Sequence, residues 1–226
     1  MDNIAQTVSV WVLPVLLAVT FHEAAHGWVA WRLGDPTAKQ QGRVTFNPFA
    51  HVDPVGTVIL PAMLILMKAG FLFGWAKPVP VNTRYLRNPR RDMMLVAAAG
   101  PAANVLIAYI SALLIHVAPL LPEVMAGWAW KTLWNSVLLN AVLAVFNMIP
   151  LPPLDGGKVA VGLLPYRYAQ QLAKLERHGF LIILGVFIFL PMLGEGIGVD
   201  LYVVQWLIRA PLELLIEFLV FASGLD

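Results

Sequence analysis

Long apolar runs, separated by short segments that carry most of the charge, dominate this chain of 226 residues. Runs long enough to cross a bilayer as helices are predicted at 8–33, 92–119, 131–150 and 179–194, and a less regular apolar stretch covers 200–222. The pattern therefore predicts an all-α polytopic membrane protein, a bundle of about 4–6 transmembrane helices.

Basic residues occur mainly in three of the intervening segments. They are Arg32, Lys39 and Arg43 after the first run, Arg84, Arg87, Arg90 and Arg91 before the second, and Lys158, Arg167, Lys174 and Arg177 between the third and the fourth. Because loops rich in Lys and Arg stay in the cytoplasm, all three segments are predicted to be cytoplasmic. An odd number of crossings is then expected between Met1 and Asp155.

One further apolar run, 55–74, does not fit a simple crossing. It is short and is interrupted by Pro61, Lys68 and Gly70. A full crossing would also place the basic segments on its two sides on opposite faces of the membrane. We therefore predict a re-entrant or interfacial segment that returns to the side from which it entered.

The segment 39–53 precedes this run and contains a β-prone alternation at 43–46, followed by the turn-forming pair Asn47-Pro48. These residues predict a short strand or β-hairpin. Such an edge could pair with an unwound polypeptide by β-augmentation; an ordinary connecting hairpin is an equal alternative. His51 is expected to bond to a neighbouring residue.

Composition excludes a soluble domain. Hydrophobic residues make up 59% of the chain and charged residues 12%, with a mean hydropathy of +0.75, against roughly 45–50% and about 25% in soluble proteins. The chain has no cysteine, which excludes disulfides and thiolate ligands and leaves His, Asp and Glu as candidate metal ligands. The basic residues form no single patch, so membrane lipid rather than nucleic acid is the expected partner.

The sequence His22-Glu23-Ala24-Ala25-His26 lies inside the first apolar run. Ionisable groups at bilayer depth are costly and indicate a functional site. Residues four apart share one helical face, so His22 and His26 can bind one metal ion while Glu23 reaches a metal-bound water. A purely structural histidine pair is the alternative, which the position in the membrane disfavours.

Asp155 is the best candidate for a third ligand. It follows an apolar run that prolines at 150, 152 and 153 prevent from continuing as a regular helix, and Gly156 and Gly157 after it permit tight turns. Two imidazoles and one carboxylate would leave one tetrahedral position of zinc open for water, as in catalytic sites. A local turn-forming role is the alternative for this aspartate.

The chain contains three motifs, which are His22-Glu23-x-x-His26, Gly100-Pro101-x-x-Asn104 and Asn147-x-x-Pro150-x-Pro152-x-Leu154-Asp155-Gly156-Gly157. Together they resemble the site-2 protease family of intramembrane zinc metalloproteases, over roughly residues 10–160. The resemblance implies one Zn²⁺ per chain, bound by His22, His26 and Asp155, with Glu23 as the general base.

The chain also departs from relatives with a minimal core, because the run 55–74 is interposed after the HExxH helix. The stretch 47–57 resembles one branch of small bacterial members, and no loop is long enough for a PDZ domain.

The resemblance implies a multi-pass protein of a bacterial cell membrane. One transmembrane protease domain is expected over 1–226, with a catalytic core at about 8–160 and C-terminal helices at 161–226.

Proteolysis also needs a donor for the developing negative charge on the substrate carbonyl oxygen. Asn147 is the first candidate and Asn104 the second. Either could instead serve as a hydrogen-bonding contact between helices, the role expected of Asn140 and Asn135.

The expected substrates are transmembrane proteins or peptides with helix-destabilising residues near the cut, because a helical carbonyl is already hydrogen-bonded. The alternatives are a membrane metal transporter or sensor that uses the same three ligands, an inactive scaffold, and a hydrolase of lipids or small amides. The substrate's identity and the oligomeric state do not follow from the sequence.

Overall fold

The computed structural model of the protein describes residues 4–66, 74–198 and 203–225. Its α-helices are α1 (Ile4–Arg32), α2 (Thr37–Gln40), α3 (Leu60–Leu66), α4 (Pro89–Ile115), α5 (Glu123–Asn147), α6 (Asp155–Leu163), α7 (Tyr166–Lys174), α8 (Gly179–Leu184), α9 (Leu190–Ile197) and α10 (Val203–Ser223). Short 3₁₀ turns occur at Pro48–His51, Thr83–Tyr85, Ala118–Leu120 and Glu176–His178, and π-helical turns at Pro54–Ile59 and Gly185–Phe189.

Three of the described helices, α1, α4 and α5, are long and apolar enough to cross a membrane, as Ala5–Arg32, Pro89–Ile115 and Glu123–Asn147. They correspond to the first three predicted runs. Helix α4 is central and packs against α1, α5, α6 and α10. Its buried Ala97, Ala108 and Ala112 permit this close approach, since small side chains let helix backbones come together without relying on a hydrophobic effect.

The C-terminal apolar runs are less simple than predicted. The run 179–194 forms α8, a π-helical turn and α9 in succession, none of which alone reaches the length of a span. The predicted total of about 4–6 crossings therefore remains a prediction, with three candidate spans among the described residues.

Helix α10 packs on α4 and α5 through one apolar face. Leu219 is buried in the core that the two longer helices form, and Leu212 and Leu215 pack against that core. Arg209, Glu213 and Glu217, spaced four residues apart, form a polar stripe on the other side of α10. Arg209 Nε donates to Glu213 Oε1 at 2.7 Å there, and these two side chains are 79% and 57% exposed. The stripe thus faces away from the bundle.

The predicted β-hairpin is wrong for the described residues, in which no strand occurs and 44–46 form a bend. Side chains satisfy the backbone groups that a ladder would pair, because His51 Nε2 bonds Thr45 O at 3.0 Å and Asn47 Oδ1 accepts from Phe49 N at 3.1 Å. These backbone groups therefore find hydrogen-bond partners within the segment, without a partner strand.

The two ends of the interposed run lie together. Trp75 N donates to Gly56 O at 3.1 Å, and the indole of Trp75 lies so close over Gly56 that an added Cβ would collide with it. Contact between the two ends is what a re-entrant segment requires, whereas a full crossing would separate them by about 30 Å. The re-entrant segment itself remains a prediction.

Candidate metal centre

Helix α1 and the start of α6 bring three ligand groups to one point. His22 and His26 lie one turn apart on α1, and Asp155 is the first residue of α6. The two Nε2 atoms are 3.0 Å apart, and each lies 3.2 Å from Asp155 Oδ2. All three side chains are buried.

The triangle of atoms fits a tetrahedral zinc ion. Zinc bonds of about 2.0–2.1 Å at the tetrahedral angle place ligand atoms about 3.3 Å from one another, and the observed separations are 3.0–3.2 Å. Nitrogen and carboxylate oxygen are ligands that zinc accepts, and three protein ligands leave the fourth position for water or substrate.

The outer nitrogen of each imidazole is also bonded. His22 Nδ1 lies 2.6 Å from Asn104 Oδ1, and His26 Nδ1 lies 2.7 Å from Val96 O. Both partners are oxygen acceptors, so each Nδ1 carries the proton and donates it. Both Nε2 lone pairs are then directed to the metal position, the arrangement that fixes tautomer and ring orientation in metal sites.

Asn104 bonds the His22 imidazole in this geometry and has no N–H left for a substrate. It is fully buried, and its Nδ2 donates to Ala18 O at 3.1 Å and to Asn140 Oδ1 at 2.8 Å. Because both of its amide N–H groups are engaged, Asn104 has none left to donate to a substrate oxyanion. Its hydrogen bonds thus argue against the second of the two predicted oxyanion donors.

Gly100 makes room for both imidazoles. A Cβ at this position would collide with Nε2 of His26 and with the ring of His22. The glycine therefore lets the backbone of α4 approach the ligands directly, a close approach that only glycine permits.

The loop between α5 and α6 fixes the position of Asp155. Added Cβ atoms at Gly156 and Gly157 would collide with the backbone of Met148 and of Pro152, so the first turn of α6 lies directly against this loop. Asp155 Oδ2 lies 3.2 Å from both Nε2 atoms, and Lys158 Nζ lies 3.6 Å from Asp155 Oδ1. One oxygen of the carboxylate therefore faces the metal position, and the other faces a lysine.

A cavity of about 880 Å³ opens beside the ligands. His22, Glu23, Trp75 and Asn147 line it, together with apolar residues of α1 and α5. Asn147 Nδ2 donates to Leu143 O at 2.9 Å, which uses one of its two N–H groups. A polypeptide segment that entered this cavity would therefore reach both His22 and Glu23.

The structure thus brings His22, His26 and Asp155 together, and it places Glu23 and Asn147 on the wall of the adjoining cavity. The sequence analysis named Gly100 only as part of the motif Gly100-Pro101-x-x-Asn104 and did not single out the backbone carbonyl of Val96. A glycine inside an apolar run was the available signal for Gly100, whereas no sequence signal marks a backbone carbonyl.

Comparison with known proteins agrees with this chemistry. The sequence model of peptidase family M50 matches residues 10–128 and 114–192. The chain is 37% identical over 200 residues to "Putative zinc metalloprotease YwhC" of Bacillus subtilis, an alignment that covers 82% of this chain and 86% of that protein. It is 30% identical over 187 residues to "Putative zinc metalloprotease Rip2" of Mycolicibacterium smegmatis, which covers 80% of this chain and 66% of that protein.

A protein of the same name from Mycobacterium tuberculosis is 29% identical over 192 residues, covering 85% of this chain and 70% of that protein. No solved structure matches the chain. With most of its length matched by the family model and a histidine pair and an aspartate arranged for zinc, the chain belongs to peptidase family M50, the site-2 protease family of zinc metalloproteases.

Proposed function

We propose that the protein is an intramembrane protease that hydrolyses peptide bonds of membrane-embedded substrates, using one zinc ion bound by His22, His26 and Asp155. The observation that carries this proposal is the position of Glu23, which lines the same cavity as the ligand His22. A carboxylate beside the metal position and open to a cavity is what hydrolysis requires of a general base.

The chain's own groups then have defined tasks. Zinc, when bound, acidifies a water molecule and polarises the substrate carbonyl. Glu23 accepts the proton of the attacking water and passes it to the nitrogen of the breaking C–N bond, so that the amine leaves neutral. The free N–H of Asn147 donates to the carbonyl oxygen as negative charge develops there.

A metal transporter or sensor would use the same three ligands, but it would not need Glu23 beside them. The apolar lining of the cavity and the three apolar helices support a site that admits an unwound segment of a membrane-embedded polypeptide. We place the protein as a multi-pass protein in a bacterial cell membrane, with transmembrane proteins or peptides as substrates.

Glu23→Gln tests the proposal. The purified parent in lipid vesicles is expected to bind about one zinc per chain and to cleave single-span peptides that carry a helix-breaking residue near their centre. Glu23→Gln should retain the zinc and lose turnover by about 10²–10⁴-fold, the range for loss of a general base. Product is measured by mass spectrometry and zinc by elemental analysis.

Glu213→Gln on the exposed face of α10 is the matched control and should cleave as the parent does. A fully active Glu23→Gln variant would refute the role of Glu23. Zinc binding without cleavage of any peptide, together with zinc flux across the vesicle membrane, would support the transporter alternative instead.

A further inference from the structure

An extended segment crosses the face of α1 beside the metal centre. We call residues 74–82 the strap; in the described structure they form neither helix nor strand. Within it, Val79 N donates to Glu23 Oε2 at 2.9 Å, across 56 positions of sequence. The carboxylate assigned as the general base is therefore held by the main chain of a segment far from it in sequence.

Hydrogen bonds along its length hold the strap in place. Lys77 N donates to His51 O at 2.9 Å, and Lys77 O accepts from the buried Arg43 guanidinium at 2.6 Å. At the far end, Asn82 N donates to the fully buried Asp35 carboxylate at 2.6 Å. Contacts on both sides of Val79 thus fix the direction in which its N–H points.

Two prolines make Val79 the sole donor at this point of the strap. Pro78 and Pro80 have no N–H, and a residue that precedes proline is restricted to extended conformations. Between Lys77 and Val81, only Val79 can therefore donate a backbone hydrogen bond, and its backbone is already restricted to the extended form.

Glu23 has no ion-pair partner in the described part of the chain; the ion pairs found there involve other acidic residues. A partly buried carboxylate that lacks a cation depends on hydrogen-bond donors for its orientation. With Oε2 bonded to Val79, the second oxygen of Glu23 remains for a water molecule in the cavity.

We propose that the backbone N–H of Val79, presented by the strap, is a positioning group that orients Glu23 toward the metal position. Its effect on turnover rests on the function proposed above, whereas the contact itself does not. Removal of the N–H should lower kcat by about 10- to 100-fold, the range for loss of a hydrogen bond to a charged group, with KM and zinc content near those of the parent.

Hydrogen exchange on the metal-free protein tests the contact without reference to activity. Glu23→Ala should accelerate exchange in the peptide that spans the strap, because the Val79 amide loses its acceptor; Glu213→Ala, on the exposed face of α10, should not. Equal strap exchange in Glu23→Ala and the parent would overturn the proposal, and this result would stand even if no peptide were ever cleaved.

A backbone ester at position 79 tests the positioning. Nonsense suppression with the α-hydroxy analogue of valine replaces the N–H by oxygen and keeps the side chain, and suppression of the same codon with valine is the control. We expect the ester to retain zinc and to lower kcat by about 10- to 100-fold, measured with a single-span peptide that carries a helix-breaking residue. An ester variant with unchanged kcat would overturn the proposal. So would a variant in which zinc is lost and KM rises along with the fall in kcat.

Discussion

At the scale of single residues, the metal centre depends on groups that hold the ligands as much as on the ligands. Each imidazole is bonded at Nδ1, by Asn104 or by the carbonyl of Val96, so that Nε2 is directed to the metal position. A polar chain continues from Asn104 to Asn140 and on to Ser136 inside the bundle. Removing these groups should therefore weaken zinc binding, while removing cavity residues should affect catalysis.

Asn104→Ala and Asn147→Ala make that distinction measurable. Asn104→Ala should weaken zinc binding about 10- to 100-fold, as expected when the hydrogen-bond partner of a ligand is lost. Asn147→Ala should keep zinc affinity and lower kcat by about 10²–10³-fold, since an oxyanion donor is removed. Competition with a zinc-binding dye measures zinc affinity, and peptide cleavage measures kcat. An Asn147 variant that binds zinc weakly but turns over normally once saturated would reverse the assignment.

Gly100→Ala should abolish zinc binding. The added methyl group would collide with both imidazoles, and α4 packs against α1, α5, α6 and α10, which limits its movement away from them. Gly127→Ala, on the exposed part of α5 where an added Cβ meets nothing within 4 Å, is the control and should bind zinc as the parent does. Zinc content of the purified variants decides the matter; a zinc-loaded Gly100→Ala protein would show that α4 can yield.

At the scale of elements, the strap and α1 are joined by Asp35. This fully buried carboxylate accepts from Thr37 N at 3.0 Å and from Asn82 N at 2.6 Å. It therefore joins the end of α1 to the end of the strap, next to the cytoplasmic segments predicted from charge. The position of the strap over Glu23 thus depends on a loop outside the apolar part of the bundle.

Asp35→Ala should destabilise this junction by about 1 kcal/mol for each partly buried donor left without an acceptor. Amide exchange in the strap should become faster, and unfolding in detergent should occur at lower temperature. Glu176→Ala, in an exposed turn, is the comparison and should leave both unchanged. Unaltered strap exchange in Asp35→Ala would mean that the contacts of Trp75, Lys77 and Val79 hold the strap without Asp35.

At the scale of the whole molecule, short distances between loops bear on the predicted topology. The bond between Asp35 and Asn82 joins the segment after α1 to the segment before α4. Because charge predicts that both segments lie outside the bilayer, we expect the interposed run to return to the side from which it starts.

Cysteine labelling can test this topology on a background that has no native cysteine. Gln41→Cys and Arg87→Cys, both at exposed positions, should react with a membrane-impermeant maleimide only when the cytoplasmic face is accessible. Leu120→Cys, in the turn between α4 and α5, should react only from the opposite side. Labelling of the first two positions from different sides would refute the re-entrant segment.

The sequence by itself determined the features that depend on local geometry. Three apolar runs are long enough to span a bilayer, and the spacing of His22 and His26 places them on one face because a helix repeats every 3.6 residues. The motif around Asp155 predicted a third ligand, though not its distance from the other two. The β-prone pattern at 43–46 misled because side chains satisfied the backbone there.

The tertiary structure alone decided which distant groups meet. Packing of α4 against α1 and α6 places Gly100 against both imidazoles, engages both amide hydrogens of Asn104, and brings Asp155 within 3.2 Å of both histidines. The tertiary structure also brings the N–H of Val79 into a hydrogen bond with the Glu23 carboxylate. Contacts of this kind join residues far apart in sequence, and they depend on how whole helices pack, which local patterns of polarity do not encode.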